Sequence, residues 1–453
     1  MRRLVFLLFC LVAVGATGAA PLEPSAVERE VDAFLQPLLD EDLISGSVLI
    51  ARNGKIELAK GYGPANREYD APCEADTVYR LASMTKSFTA TAIMMLQERE
   101  QLSVEDTLDK YIPDYPRGDA IKLHHLLTHT SGVVNYSALP DHYKAWTMPH
   151  TIDEVIARFK DEPLQFEPGE RWGYSNSGYV LLTRVIEQVS GTSYEEFLEQ
   201  NIFEPLGMQH TAMDSHVTVI PKRATGHYNF GDGILQAPYL NIEFTSGAGG
   251  MCSTVRDLYA FDRALYTDAL VSQAGLEKMF TPVERDYGYG WFVRDENGHK
   301  LIEHIGGING FLTMLRRYVD DDVTVITLFN YVSTFARDVN RGLAAIALGQ
   351  EHHPVLIPDG VEVPADRLKG LAGSYRLMDS ALEVSFENGK LWVKGDDLDR
   401  SEAIPQNENR FYIRQANAVL NFQREEDGRV RRMILQQSEH VIPCEPIGAA
   451  DAG

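Results

Sequence analysis

The chain has 453 residues, 44% of them apolar and 24% charged, and its length exceeds the ~250–300 residues at which single cores stop growing, so two domains are expected. Its formal net charge of −23 argues against a polyanionic partner, and nucleic acid is not expected as a ligand. The sequence holds no zinc-protease, P-loop or dinucleotide fingerprint, so neither a metal nor an organic cofactor is expected.

In chain order, Met1-Arg2-Arg3, the uncharged run 4–14 and the small residues Ala16-Thr17-Gly18 read as a signal peptide over 1–18. The run falls short of the ~20 apolar residues that span a bilayer, so an exported chain, periplasmic or secreted, without stable membrane insertion is expected. Cys73, Cys252 and Cys444 follow without C-x-x-C spacing and read as three small buried residues.

Ser25-Ala-Val-Glu28 has capping-box spacing before a helix that carries Val27, Val31, Phe34, Leu35 and Leu38 at helical intervals. Two β-like runs, 47–52 and 55–61, flank the hairpin turn Asn53-Gly54. The middle is mostly helical, with helices predicted over 83–100, 123–128 and 178–189. Strand character returns over 287–294, 301–305, 311–316 and 323–329, and 334–348 reads as a helix. The expected fold is α+β: an antiparallel sheet built from both ends of the region 19–350, flanked by helices, with an inserted all-α lobe. Residues 351–365, with His352, His353 and three prolines in the neighbourhood, read as a linker. Short alternating strands at 382–386, 391–394, 410–413, 419–424 and 430–436 then predict a small antiparallel β-barrel within 366–453.

Three groups of residues carry chemistry. Ser83-Met-Thr-Lys86 places a hydroxyl and an amine on one side of a helix, at an N-terminus whose free N–H groups favour negative charge on the serine oxygen. The bland alternative is an N-cap serine with a surface lysine. Tyr174-Ser-Asn176 offers a phenol that, beside an ammonium, would hold its proton loosely and serve as base, and an amide able to bond both lysine and substrate. Tyr239-Leu-Asn241 matches the same spacing, but Tyr174 directly precedes a predicted helix and is preferred. His304-Ile-Gly306-Gly307 lies where a strand gives way to glycines, so a substrate could approach the backbone and an N–H could face an oxyanion.

Taken in this order, on a helix, an inter-helix loop and a strand, these residues resemble the serine β-lactamase and penicillin-binding protein superfamily, in its class C-like branch of β-lactamases, D,D-carboxypeptidases, D-aminopeptidases and esterases. The resemblance runs over about 25–349 and includes Leu123-His-His-Leu-Leu-Thr-His-Thr-Ser-Gly132, Pro168-Gly-Glu-Arg-Trp-Gly-Tyr-Ser-Asn-Ser-Gly178, Pro205-Leu-Gly-Met208 and Gly249-Gly-Met-Cys-Ser-Thr254. The C-terminal meander is similar to the lipocalin-like domains appended to some of these enzymes. The resemblance implies that Ser83 is acylated, that Lys86 and Tyr174 move its proton, that Asn176 positions the substrate carbonyl, and that the N–H groups of Ser83 and Gly307 form the oxyanion hole, with His304 and Gly306 in the substrate-binding third motif. His304 and Ile305 replace the usual lysine and hydroxyl there. That change removes the cation that holds a β-lactam carboxylate unless His304 is protonated, and it favours a D-amino-acid peptide or ester, or another small ester or amide, over a β-lactam. The alternatives are a β-lactamase or penicillin-binding D,D-carboxypeptidase and, in another class, a non-catalytic exported binding or scaffolding protein, which a fluorophosphonate probe would fail to label at Ser83. An α/β-hydrolase is excluded because Gly173-Tyr-Ser-Asn-Ser177 lacks the last glycine of G-x-S-x-G.

Overall fold

A computed structural model describes residues 25–447, apart from 230–232, 356, 379, 397–399 and 438–439. The expected signal peptide lies outside the described residues.

Helix α1 (Ala26–Asp40) starts where Ser25 accepts the Glu28 N–H at 2.9 Å, and its buried stripe is the one read from the sequence. Strands β1 (Gly46–Arg52) and β2 (Lys55–Tyr62) form the first hairpin. The chain then builds helices α2 (Thr85–Glu98), α3 (Asn176–Ser190) and α4 (Val255–Ala264). It returns with β3 (Phe292–Glu296), β4 (His299–Ile308), β5 (Phe311–Tyr318) and β6 (Val323–Phe329), and closes the domain with helix α5 (Ala336–Leu348). The sheet order is β3-β4-β5-β6-β1-β2, antiparallel throughout, so β1 pairs with β6 and the two ends of the domain share one sheet. Three small sheets of two or three strands lie among the helices of the middle.

The two faces of this sheet serve different cores. On β1, Leu49 and Ala51 face the helical lobe, while Val48 and Ile50 face α1 and α5. On β6, Ile326 and Leu328 take the lobe side and Val323, Val325 and Phe329 the other. Near-continuous apolar runs are what a sheet covered on both faces requires.

The expected strand over 287–294 begins only at Phe292. Residues 287–291 instead form a loop in which Gly290 has φ 75° and a Cβ there would lie 2.7 Å from the Lys86 carbonyl, so the loop rests directly on α2. Ser87 clamps it, donating to the Gly290 carbonyl at 2.8 Å.

The C-terminal region is a closed eight-stranded antiparallel barrel: β7 (Gly373–Leu377), β8 (Ser380–Glu387), β9 (Lys390–Lys394), β10 (Ser401–Pro405), β11 (Arg410–Ile413), β12 (Ala418–Arg424), β13 (Val430–Gln437) and β14 (His440–Pro446). Its interior is filled by side chains such as Leu391, Phe411, Leu420, Phe422 and Met433. Tyr412 points the opposite way from Phe411 and Ile413, yet it is buried in the core formed by α1, α5 and the back of the sheet. The barrel is therefore docked on the face of the sheet remote from the helical lobe.

Among the described residues no helix is long and apolar enough to cross a membrane, and no group of metal-ligating side chains forms. Cys73, Cys252 and Cys444 are free and buried.

Candidate active site

Ser83 sits in a single 3-10 turn, Ala82–Met84, that leads into α2. Its neighbour Ala82 has φ 51°, a left-handed conformation that costs an L-residue about 1–3 kcal/mol and that the surroundings must impose. They do so through the β4–β5 pair. Thr313 donates to the Leu81 carbonyl at 2.8 Å, and a Cβ at Gly306 would lie 2.1 Å from that carbonyl and 2.4 Å from Thr313 Oγ1. Gly306 thus seats the strand beneath the serine turn and is buried. Gly307, one residue on, lines the cleft with Ser83.

The amine and phenol converge on the serine. Lys86 Nζ lies 3.1 Å from Ser83 Oγ, and Tyr174 donates its hydroxyl to the same oxygen at 2.8 Å. Lys86 is fully buried, and burial alone drives its ammonium well below the usual lysine range. Its other partners are neutral oxygens, Asn176 Oδ1 at 2.8 Å and the Ala248 carbonyl at 2.6 Å. The rings of Tyr174 and Tyr179 stand 5.0 and 5.5 Å away. Asn176 is fixed in turn: Ser137 accepts from Nδ2 at 3.2 Å, and Asn135 accepts the backbone N–H at 3.2 Å.

The phenol departs from expectation. Burial pushes Tyr174 up to about 12, against a smaller opposing effect of its bond to Ser83. Burial thus favours the protonated phenol and the neutral amine. Tyr239, the rejected alternative, is exposed and rests on His216, on the outer rim.

His304 is 1% exposed and is set behind the residues that line the cleft. Its Nδ1 lies 2.9 Å from the Ile305 carbonyl, which can only accept, so Nδ1 carries the hydrogen and Nε2 accepts from the Tyr287 hydroxyl at 3.0 Å. Burial, with Lys86 nearby, pushes this imidazole down to about 3. It is neutral at any ordinary pH, and the third motif supplies no cation.

Two further groups escaped sequence reasoning. His129 packs its ring 4.3 Å from that of Tyr174 and accepts the Ser175 N–H at 3.2 Å, holding the phenol from behind. The Ala248 carbonyl is a backbone group, without a side-chain signal of its own. Only the glycines around it, Gly247, Gly249 and Gly250, hinted at a close approach; a Cβ at Gly247 would lie 2.3 Å from Thr183 Oγ1. The whole arrangement opens on a cleft of about 400 Å³ lined by Ser83, Asn176, Gly307 and aromatic residues of the middle lobe.

The beta-lactamase family model matches residues 29–349, the span that carries every one of these groups. The chain belongs to the beta-lactamase family. A second model, a domain of unknown function (DUF3471), matches 358–446, over the barrel. Among relatives, penicillin-binding protein 4* of Bacillus subtilis (strain 168) is 32% identical over 442 residues, covering 88% of this chain and 94% of that protein. Among solved structures, the octameric penicillin-binding protein homologue from Pyrococcus abyssi superposes with a TM-score of 0.66 at 25% identity, over 93% of this chain and 100% of that one. A D-stereospecific amidohydrolase from Streptomyces sp. gives 0.58 at 25% identity, over 67% of this beta-lactamase-family chain and 94% of its own.

Proposed function

We propose that this protein is a serine hydrolase that forms an acyl-enzyme at Ser83 and hydrolyses a small ester or amide. The observation that carries the reading is the double approach to Ser83 Oγ by a buried amine and a protonated phenol at the floor of an open cleft. In the neutral state that burial favours, the amine directs its two hydrogens to Ala248 O and Asn176 Oδ1, and its lone pair remains for the Ser83 proton. Ser83 Oγ attacks the carbonyl carbon and its proton passes to Lys86. The negative oxygen of the tetrahedral intermediate is met by the N–H groups of Ser83 and Gly307. Collapse expels the leaving group, which takes a proton from the Lys86–Tyr174 pair. Water, giving its proton to the same pair, then releases the acid and restores Ser83.

A neutral His304 supports an amidase or esterase over a β-lactamase or D,D-carboxypeptidase, because neither it nor any described lining residue supplies a fixed cation for a substrate carboxylate. Similarity to a D-stereospecific amidohydrolase supports D-amino-acid derivatives as candidates within that class. Export through the 1–18 segment is part of the same proposal. The experiment is turnover of a panel of short acyl esters, D-amino-acid amides and a chromogenic cephalosporin by wild type and Ser83→Ala, with intact-mass detection of the acylated protein. Ser83→Ala should abolish turnover and the mass increment while melting near the wild-type temperature; activity retained in that variant would rule out the mechanism.

A further inference from the structure

The cleft beyond Ser83 is walled mainly by apolar and aromatic side chains, with Ser137, Asn176, Thr245 and Asn309 as its neutral polar members. Tyr136, Trp146, Tyr228, Phe311, Leu312 and Val332 face it, and none of its described lining residues is Asp, Glu, Lys or Arg. His142, also in the wall, is buried, and that burial lowers its imidazole below the ordinary histidine range. A charged group beside the reacting carbonyl would be desolvated here without a partner, which is costly for either sign.

The apolar surface does not stop at the cleft. Tyr143, 73% exposed, stands edge-on to Trp146 with centroids 4.9 Å apart. Leu235, 55% exposed, pairs across a short hairpin from Tyr228. Tyr239 is equally exposed, on a segment whose Asn241 N–H donates to the Trp146 carbonyl at 2.8 Å, and Met148 follows Trp146 by two residues. Single exposed apolar side chains need no explanation, but these four all lie on segments joined to residues that line the cleft.

We infer that the substrate is an ester or amide, uncharged beside its reacting carbonyl, whose hydrocarbon or aromatic chain leaves the cleft along Trp146 and lies across Tyr143, Met148, Leu235 and Tyr239. This rests on the Ser83 acyl-enzyme reading and narrows its substrate class. Their attachment to Trp146 and Tyr228, which line the nucleophile's own cleft, selects a substrate chain as the occupant.

The test is a series of p-nitrophenyl esters from acetate to decanoate, with the hemisuccinate as the charged member. Burial of each methylene should raise kcat/KM roughly two- to fourfold through octanoate, and the hemisuccinate should fall about tenfold below the butyrate, its charge finding no partner. Trp146→Ala and, at an exposed position where folding is not at risk, Leu235→Asp should each lower the decanoate-to-acetate ratio about fivefold or more. A flat or falling series, or a hemisuccinate turned over as well as the butyrate, overturns the inference. Failure of the acyl-enzyme reading looks different: no ester is hydrolysed, or Ser83→Ala hydrolyses acetate as fast as wild type. Binding alone settles the chain question in that event, since Ser83→Ala should hold octanamide at least about 16-fold more tightly than butyramide, and equal affinities count against it.

Discussion

Two of the basic side chains buried within this domain are treated in opposite ways. Arg317, 1% exposed on β5, is answered by a charge: its Nε donates to Asp262 Oδ1 at 2.6 Å, and Thr324 donates to the other carboxylate oxygen at 2.8 Å. The rings of Tyr266, Phe280 and Trp291 surround its guanidinium at 4.7, 5.3 and 5.9 Å. Lys86 is as deeply buried and meets only neutral oxygens and the serine. A paired buried cation holds structure together, whereas an unpaired one must shed its proton to stay buried, and that is the state a general base needs. The difference separates a scaffold from a site without reference to motif.

The comparison breaks first at Asp262. Asp262→Ala leaves Arg317 buried without its counter-ion and should cost about 3–5 kcal/mol in urea unfolding. Lys86→Met should do the reverse: turnover falls by about 10²–10⁴, while stability is unchanged or rises by about 1 kcal/mol. The pH dependence sharpens the point. With its folded-state pKa depressed, Lys86 binds a proton more weakly folded than unfolded, so wild-type stability gains as pH rises toward 10.5. The advantage of Lys86→Met should accordingly shrink over that window; an advantage that grew would show the amine to be charged in the folded state.

His304 gives a smaller version of the same contrast. Its folded pKa of about 3 lies below the unfolded value of 6.5, so its stabilising neutral form is fully present above pH 6.5 and the contribution is lost as pH falls toward 3. The loss is on the order of 4 kcal/mol, and His304→Asn should flatten that limb of the stability curve. An unchanged acid limb would mean that the imidazole is solvated.

These contrasts mark where the sequence stops being informative. Spacing was enough to put Ser83 and Lys86 side by side, where the serine turn runs into α2, and to make Tyr174 the preferred partner, because a helical repeat converts three residues of sequence into proximity. It could not say that Lys86 lacks a carboxylate, since the residues that might have supplied one, or did for Arg317 across 55 positions, are gathered only by the sheet. The protonation states that burial favours, a neutral amine and a protonated phenol, were hidden for the same reason, since burial belongs to the tertiary structure. Gly306 and Gly307 were read as a pair, yet strand alternation sends one beneath the serine turn and the other to the cleft. In the barrel, alternation gave five of the strands, whereas β7, β10 and β14 went unread. Ser401–Pro405 ends in proline and His440–Pro446 contains two, a residue that withholds a ladder hydrogen bond and weakens any strand signature.

Tyr412 has one more consequence. Because this ring leaves its own barrel and completes the core beneath α1 and α5, the hydrolytic portion does not end at a finished surface. Cut off near residue 355, it would present a greasy scar around Phe335 and Val339 and lose the tether from Asn417 to Asp338, so a truncated enzyme should aggregate even with every reacting group in place.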